Sequence, residues 1–218
     1  VPDGDDHPVL VLPDACSDLI WEEGIGAYVA GPDTGPVRTV TRPGAVFVGA
    51  RFRPAAGGQA LGLPLSELRD QRVPLAALRS DVARALPATL SPAWAAARVL
   101  DVTGTLIADG RPDPAISAAA SLLRDPAART EDVAERVGLS ERQFRRRSHA
   151  AIGYGPKTLQ RVLRFQRFVR LLDATPGRGD LADAAVRAGY ADQPHLTREC
   201  RSFSGLTPAA LHHLRRPS

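Results

Sequence analysis

Hydrophobic positions along the chain follow one rule up to about residue 57 and a different rule beyond it. From Val9 to about Arg53, apolar residues come in short runs rich in Val, Leu and Ile, as in PVLVLPDACSDLIW, AYVAGPDTGP and VRTVTRPGAVFVGARFRP. Pro-Gly and Gly-Pro pairs separate these runs, which predicts short strands in a compact sheet or partial barrel. After Gly57 the spacing turns helical: Leu65, Leu68, Leu75 and Leu78, then DVARAL, then PAWAAARVLDVTGTLIA with Ala95, Val99, Val102 and Leu106 on one face. This middle section is expected to be a helical connector or a dimerisation surface.

The stretch DGRPDPA at 109–115 gathers proline and glycine just before a helical pattern restarts at Ile116. It divides the chain into residues 1–110, β-rich with a helical connector, and residues 111–218. The second part holds PAISAAASLLR, TEDVAERVG, SERQFRRRSHAAIG, PKTLQRVLRFQRFVRLLDA, DLADAAVRAG, DQPHLTRECRSFSG and TPAALHHLR, all of helical periodicity and joined by short turns. The expected fold class is α+β, a short β-rich N-terminal domain followed by an all-α domain.

Charge sharpens that division. Residues 1–120 hold 10 Arg against 14 Asp and Glu, a net −4, whereas residues 121–218 hold 18 Lys and Arg against 10 Asp and Glu, a net +8. The basic part points to a nucleic-acid or anionic-membrane surface, and the acidic part excludes a simple polycation. No apolar run approaches the roughly 20 residues of a membrane helix. The acidic opening VPDGDDHPVL also lacks the basic and apolar regions of a signal peptide, so a cytoplasmic location is expected. Cys16 and Cys200 stand far apart and indicate neither a disulfide framework nor a metal site. The five histidines lack the paired spacing with cysteine or carboxylate that zinc requires, so no metal and no cofactor is expected.

Four arginines (Arg142, Arg145, Arg146 and Arg147) crowd six positions of SERQFRRRSHAAIG, where like charges three and four residues apart repel. A repeat accounts for them. In VAERVGLSERQFRRRSHAAIGYGP a helix ends at Gly138, Ser140 caps the next helix, Phe144 anchors it, and Gly153 ends it before Pro156. In AAVRAGYADQPHLTRECRSFSGLTP the counterparts are Gly189, Asp192, Leu196, Gly205 and Pro208, offset by 52 residues after one extra turn residue.

Each copy has the grammar of a helix-turn-helix: a short helix with alanine for close packing, a glycine at the turn, an N-cap and a second helix. Ser140 with Gln143 makes a capping box, and Asp192 caps a helix with Pro194 in its first turn. Phe144, Ala151 and Ile152, like Leu196, Cys200 and Phe203, form the inward stripe. Arg142, Arg145 and Arg146 then face outward, as do Gln193, Pro194, Thr197 and Arg198, near the helix N-terminus that enters a major groove. Arginine pairs with guanine edges, glutamine with adenine, and a threonine methyl with a thymine methyl. Between the copies Lys157, Arg161, Arg164, Arg167 and Arg170 share one face of a long amphipathic helix, with Lys157 and Arg161 the nearest candidates for phosphate contacts.

Residues from about 116 to 216 resemble the DNA-binding domain of AraC-type transcription regulators, through VAERVGLSERQFRRRSHAAIGYGPK, RVLRFQRFVRLL and AAVRAGYADQPHLTRECRSFSGLTPAAL. The resemblance implies two helix-turn-helix units on a connecting helix, reading two successive major grooves roughly 10 bp apart. By position it implies base reading by Arg142, Arg145 and Arg146 in the first unit and by Gln193, Pro194, Thr197 and Arg198 in the second. Pro194 departs from the usual polar residue and makes only apolar contacts, so the second unit would read fewer bases. The N-terminal stretches VLPDACSDLIW, AGPDTGP and VGARFRPAAGGQALGLPLSEL look like uncharacterised N-terminal domains found on a subset of these regulators. That likeness implies a sensory or dimerising module and brings no sugar-binding site with it. Partners that follow are double-stranded DNA and, as options, a small-molecule effector, RNA polymerase and a second copy of the chain.

Three other readings stay open at this point. Arg51 and Arg53 alternate on a predicted strand and could hold an anionic ligand in a sheet pocket, although a salt bridge to an acidic residue of the same domain is the favoured role. GPDTGP lacks the Gly-Lys-Ser/Thr ending of a phosphate loop, and neither a nucleophile elbow nor a dinucleotide fingerprint is present, so no enzyme is expected; catalysis would need an unrecognised N-terminal site. A sequence-blind architectural DNA binder is the third reading, marked by equal affinity for any duplex and a salt slope alone.

Overall fold

The period-two pattern of the N-terminal runs produces five strands in the computed structural model, which describes residues 6–174 and 181–215, and a sixth short strand lies at 72–74, within the section whose spacing predicted helix. Strand β2 (Ser17–Glu22) alternates buried Ser17, Leu19 and Trp21 with half-buried Asp18, Ile20 and Glu22. It is the centre of a four-stranded antiparallel sheet, pairing with β3 (Gly26–Ala30) from Asp18↔Ala30 to Glu22↔Gly26 and with β5 (Phe47–Phe52) from Ser17↔Phe52 to Glu22↔Phe47. The short β6 (Arg72–Pro74) adds to β3, giving the order β5-β2-β3-β6.

The first and fourth strands, β1 (His7–Val11) and β4 (Val37–Thr41), form a separate two-stranded ribbon in the register His7↔Thr41 to Val11↔Val37. The strand region is thus two sheets, where the runs alone predicted one compact sheet or partial barrel. The break between β1 and β2 has a local cause. Pro13 offers no N–H to a ladder, Asp14 turns its carboxylate back to accept from the Cys16 N–H at 2.9 Å, and Ala15 sits at φ 67°.

Helix α4 (Pro92–Asp109) lies across the four-stranded sheet and buries Ala95, Val99, Val102 and Leu106 against Leu19, Trp21, Val29 and Phe52. The Trp21 indole N–H donates to the Pro87 carbonyl at 2.9 Å, satisfying the one polar atom of that fully buried ring. Between sheet and helix run α1 (Gly57–Leu61), a 3-10 turn (Leu65–Glu67), α2 (Leu75–Leu78) and α3 (Ser80–Ala83).

After the Pro/Gly-rich segment at 109–115 the described chain is helical: α5 (Pro114–Leu122), α6 (Thr130–Arg136), α7 (Glu141–Ile152), α8 (Pro156–Ala174), α9 (Leu181–Ala188), α10 (Gln193–Ser204) and α11 (Pro208–Leu214). Their apolar faces meet in a second core built on Ile116, Phe144, Phe165, Phe168, Leu196 and Phe203. Two N-terminal residues, Ala15 and Ala55, belong to this second core, and Gln166 of α8 donates to the Pro13 carbonyl at 2.7 Å. The two parts therefore pack directly on one another. No helix among the described residues is long and apolar enough to cross a membrane.

Candidate nucleic-acid interface

The two helix pairs α6–α7 and α9–α10 turn in the same way. In the first, the Gly138 N–H donates to the Glu135 carbonyl and the Leu139 N–H to the Ala134 carbonyl, both at 2.9 Å. In the second, Gly189 donates to Val186 at 2.9 Å and Tyr190 to Ala185 at 3.0 Å. Each turn is a Schellman-type closure that puts its glycine in the left-handed region, at φ 69° and 90°. Gly189 is also required sterically, because a Cβ there would collide with the Cβ of Pro126.

Each second helix is 12 residues long and capped. The Ser140 hydroxyl accepts from the Gln143 N–H at 3.3 Å, while the Gln143 side chain accepts from the Ser140 N–H at 3.0 Å, completing the capping box. The Asp192 carboxylate accepts from the His195 N–H at 2.6 Å, with Pro194 in the first turn. Such caps satisfy N–H groups that have no intrahelical partner.

The caps and the inward stripe fix which side chains turn outward. Phe144, Ala151 and Ile152 of α7 are buried, as are Leu196, Cys200 and Phe203 of α10. Arg142, Arg145 and Arg146 are exposed, as are Gln193, Pro194 and Arg198, with Thr197 half-buried beside them. Among the described residues none of Arg142, Arg145, Arg146 or Arg198 has a carboxylate within ion-pair distance. Burial pushes the Cys200 thiol up to about 12, which leaves it an inert packing group.

Arg147 belongs to a different class from its three neighbours. Its guanidinium donates twice to the Asp113 carboxylate, at 2.7 and 2.6 Å, and Asp113 is also the N-cap of α5, accepting from the Ile116 N–H at 3.1 Å. Burial raises the Asp113 pKa, but the hydrogen bonds from Arg147 and from the Ile116 and Ala115 backbone outweigh it, so the carboxyl titrates below its ordinary value. The equivalent column of α10, 52 residues on, holds Glu199. Glu199 is buried and accepts from Arg161 of α8 at 2.9 Å, and the Arg161 guanidinium lies 5.1 Å above the Phe203 ring. Sequence reasoning missed Asp113 and Glu199. The signal available was their column: positions 147 and 199 precede the buried Ser148 and Cys200, so a charge there faces the interior and needs a partner.

The basic series on α8 divides accordingly. Lys157 is exposed, 4.0 Å from Glu131, and Arg170 is exposed, whereas Arg161 is held by Glu199 and Arg164 lies 5.9 Å over the Tyr190 ring. Lys157, Arg161 and Arg145 come together on a cleft of about 910 Å³ that also takes in Arg69, Asp70, His149 and Phe203. Burial, then the charges of Arg145 and Arg69, lowers the His149 pKa, keeping this imidazole neutral more readily than a free one. Arg142, Arg146, Gln193, Pro194, Thr197 and Arg198 do not line the cleft.

Arg51 lies in β5 and is exposed, with ion pairs to Asp14 at 2.7 Å and Asp18 at 2.8 Å. Its charge is answered within its own domain. Arg53 is exposed just beyond the strand.

Comparison with known proteins agrees with this geometry. Residues 133–213 match the family model described as "Helix-turn-helix domain", and residues 2–74 match "Domain of unknown function (DUF6597)". No curated protein sequence matches the chain. Among solved structures, ToxT from Vibrio cholerae is similar in fold, with a TM-score of 0.51 at 8% identity, covering 96% of this chain and 98% of that one. A structure of an apo ToxT variant from Vibrio cholerae strain SCE256 matches with a TM-score of 0.46 at 10% identity, covering 96% and 89%. Residues 133–213 thus carry a helix-turn-helix domain, behind an N-terminal segment of the unknown-function family, and the chain as a whole shares the fold of ToxT.

Proposed function

We propose that this protein is a sequence-specific transcription regulator whose two helix-turn-helix units read two successive major grooves on one face of DNA. Arg142, Arg145 and Arg146 read bases from the first unit, and Gln193, Thr197 and Arg198 read them from the second, with Pro194 making apolar contact only. Lys157 contacts phosphate, and Arg161 lies close enough to the same backbone to assist while holding Glu199. The observation that carries this reading is the sorting of like-charged arginines. Arg147 is paired with the half-buried Asp113 and Arg161 with the buried Glu199, whereas among the described residues Arg142, Arg145 and Arg146 remain side by side with no carboxylate partner. Repulsion of this kind disfavours the isolated helix, and a polyanion removes it.

The reading extends to control by the N-terminal domain, residues 1–110, over the DNA-binding part, residues 111–218. Support comes from where that domain touches the reading units. A Cβ added at Gly58 of α1 would lie 2.6 Å from the Ala150 carbonyl in α7, and one added at Gly153 would strike Pro32. Gly35 and Arg38 approach Ser202 and Gly205 at the end of α10. One N-terminal surface therefore borders the C-terminal ends of both reading helices, where a small shift changes their spacing. A small-molecule effector acting on that domain, with RNA polymerase as the recipient of the signal, completes the scheme.

The test is to incubate the full chain with fragmented genomic DNA at about 0.15 M salt, where non-specific binding is weak, and to sequence what is retained. The expected result is a motif with two half-sites about 10 bp apart, lost or relaxed in the first half-site for Arg146→Ala, which should weaken binding by roughly 1–3 kcal/mol. Equal retention of all fragments would establish the sequence-blind binder instead. Gly58→Val, which must push the N-terminal domain off α7, is expected to change operator affinity; an unchanged affinity would remove N-terminal control from the scheme.

A further inference from the structure

Residues 65–69 of the N-terminal part run beside the first reading helix, from its C-terminal end toward the end that carries Arg142, Arg145 and Arg146. At the start of this run the Leu65 carbonyl lies against Gly153, where an added Cβ would come within 3.2 Å of it. Gly153, His149, Arg145 and Glu141 follow at four-residue steps and so share one face of α7. Four residues after Leu65, Arg69 meets that face, lining the 910 Å³ cleft with His149, Arg145 and Glu141. The charges of Arg145 and Arg69 both act on the His149 imidazole, so the two guanidiniums stand near one another.

The tip that carries Arg69 is firmly built. The Gly31 N–H donates to the Gln71 carbonyl at 2.9 Å and the Asp70 N–H to the Pro32 carbonyl at 3.2 Å, and a Cβ on Gly31 would collide with the Leu68 carbonyl. Asp70 is held at φ 58°, a left-handed conformation that residues other than glycine seldom take. Its carboxylate accepts from the Thr34 N–H at 2.6 Å and from the Thr34 hydroxyl at 2.8 and 3.0 Å. The acid beside Arg69 in sequence is thereby committed elsewhere. Arg69 is exposed, and among the described residues no carboxylate lies within ion-pair distance of it. Two guanidiniums from different parts of the chain, neither with a carboxylate, thus share a cleft with Lys157, an arrangement that repels itself until an anion enters.

We propose that Arg69 is a DNA-contacting residue: the N-terminal part supplies its guanidinium to a backbone phosphate at the mouth of this cleft, between the base contact of Arg145 and the phosphate contact of Lys157. The proposal rests on α7 being a reading helix and extends the DNA interface beyond the helix-turn-helix units. Arginine suits the task, since its planar fork can give two parallel hydrogen bonds to one phosphate. Such a contact fixes register and carries no sequence information. It also gives the left-handed Asp70 a purpose, because strain of this kind persists where surrounding bonds aim a working side chain. Through Arg69 the N-terminal part would be seated on the duplex directly, and any shift of that part against α7 would move a phosphate contact as well as a helix.

Fluorescence anisotropy of a labelled duplex with the full chain, between about 0.05 and 0.2 M salt, counts the phosphates neutralised, because log affinity falls against log salt by about 0.9 per phosphate. Arg69→Ala is expected to make that slope shallower by about 0.9 and to weaken binding several-fold at about 0.15 M salt. Arg69→Lys should keep the slope, and Arg84→Ala, at an exposed arginine off the cleft, should alter neither quantity. A slope indifferent to Arg69→Ala would overturn the proposal and leave the reading helices as they are, whereas a wild-type chain that binds no duplex would overturn both. Calorimetry with inorganic phosphate and no DNA separates the other source of the same chemistry. Saturable heat that disappears in Arg69→Ala, beside an unchanged DNA slope, would assign the cleft to a small anion instead.

Discussion

The first and second helix-turn-helix units share a backbone plan and differ in nearly every side chain that leaves it. Both reading helices have 12 residues, an oxygen-bearing cap, a left-handed glycine at each end, and a buried aromatic or aliphatic anchor at the fourth position. Outward, the first presents Arg142, Arg145 and Arg146, which have no carboxylate partner among the described residues, and the second presents glutamine, proline, threonine and two arginines, Arg198 and Arg201. Inward, the same column carries opposite charges, Arg147 bound to Asp113 and Glu199 bound to Arg161. The difference shows how one scaffold is used twice: turns, caps and anchors repeat because they set helix placement, while outward residues are free to diverge because no packing contact constrains them.

The largest effect that could break this equivalence is removal of the anchors. Phe144 and Leu196 are both essentially buried, and each holds its reading helix to the common core. Phe144→Ala is expected to destabilise the protein by about 3–5 kcal/mol and Leu196→Ala by about 2–5 kcal/mol, read from the shift in denaturant midpoint. A loss below about 1 kcal/mol at either position would mean that its helix is held by something other than the anchor.

The turns should behave less symmetrically. Alanine at Gly138 or Gly189 has to adopt the left-handed region, which costs roughly 1–2 kcal/mol. At Gly138 that is the whole penalty, since an added Cβ meets nothing within 4 Å. At Gly189 it must also displace Pro126, adding roughly 1–3 kcal/mol for a packed contact that cannot give. Thermal unfolding of Gly138→Ala and Gly189→Ala should therefore separate, and coincident melting curves would show that Pro126 yields freely.

Caps, glycine turns and inward stripe could all be read from residue order, because each depends on neighbours within about five positions. So could the exposure of Arg142, Arg145, Arg146 and Arg198, which follows from helical periodicity once Phe144 and Leu196 are placed inward. What local order could not reveal was distance. Asp113 lies 34 residues before Arg147, and Glu199 lies 38 residues after Arg161, so the pairing of two of the basic residues appears only when α7 is packed beside α5 and α10 beside α8. The separation of β1 and β4 from the main sheet was missed for a related reason. Strand runs specify that residues are extended, while the partner of each strand is decided by Pro13, Ala15 at positive φ and the registers that remain. The ligand candidate Arg51 is a similar case, its two carboxylates being visible as partners only once β2 and β5 are aligned.

The smallest effect concerns the ion pair of the first unit and separates it from that of the second by acid. Asp113 does two jobs at once, capping α5 and binding Arg147, and its carboxyl titrates below the ordinary value of 3.8 in the folded protein. A depressed folded pKa means that the unfolded chain takes up the proton first as acid is added. The stabilisation from Asp113 is therefore complete above that ordinary value and is lost as pH falls through the folded one. Near neutrality Asp113→Ala should cost about 1–2 kcal/mol through loss of the cap and of the Arg147 contact, which is partly screened because Arg147 is one-third exposed. Denaturation curves taken at successively lower pH should show wild type converging on Asp113→Ala. A gap that stays constant into acid would mean that the carboxylate charge contributes nothing and that Asp113 acts through its shape alone, in which case Asp113→Asn should match wild type at every pH.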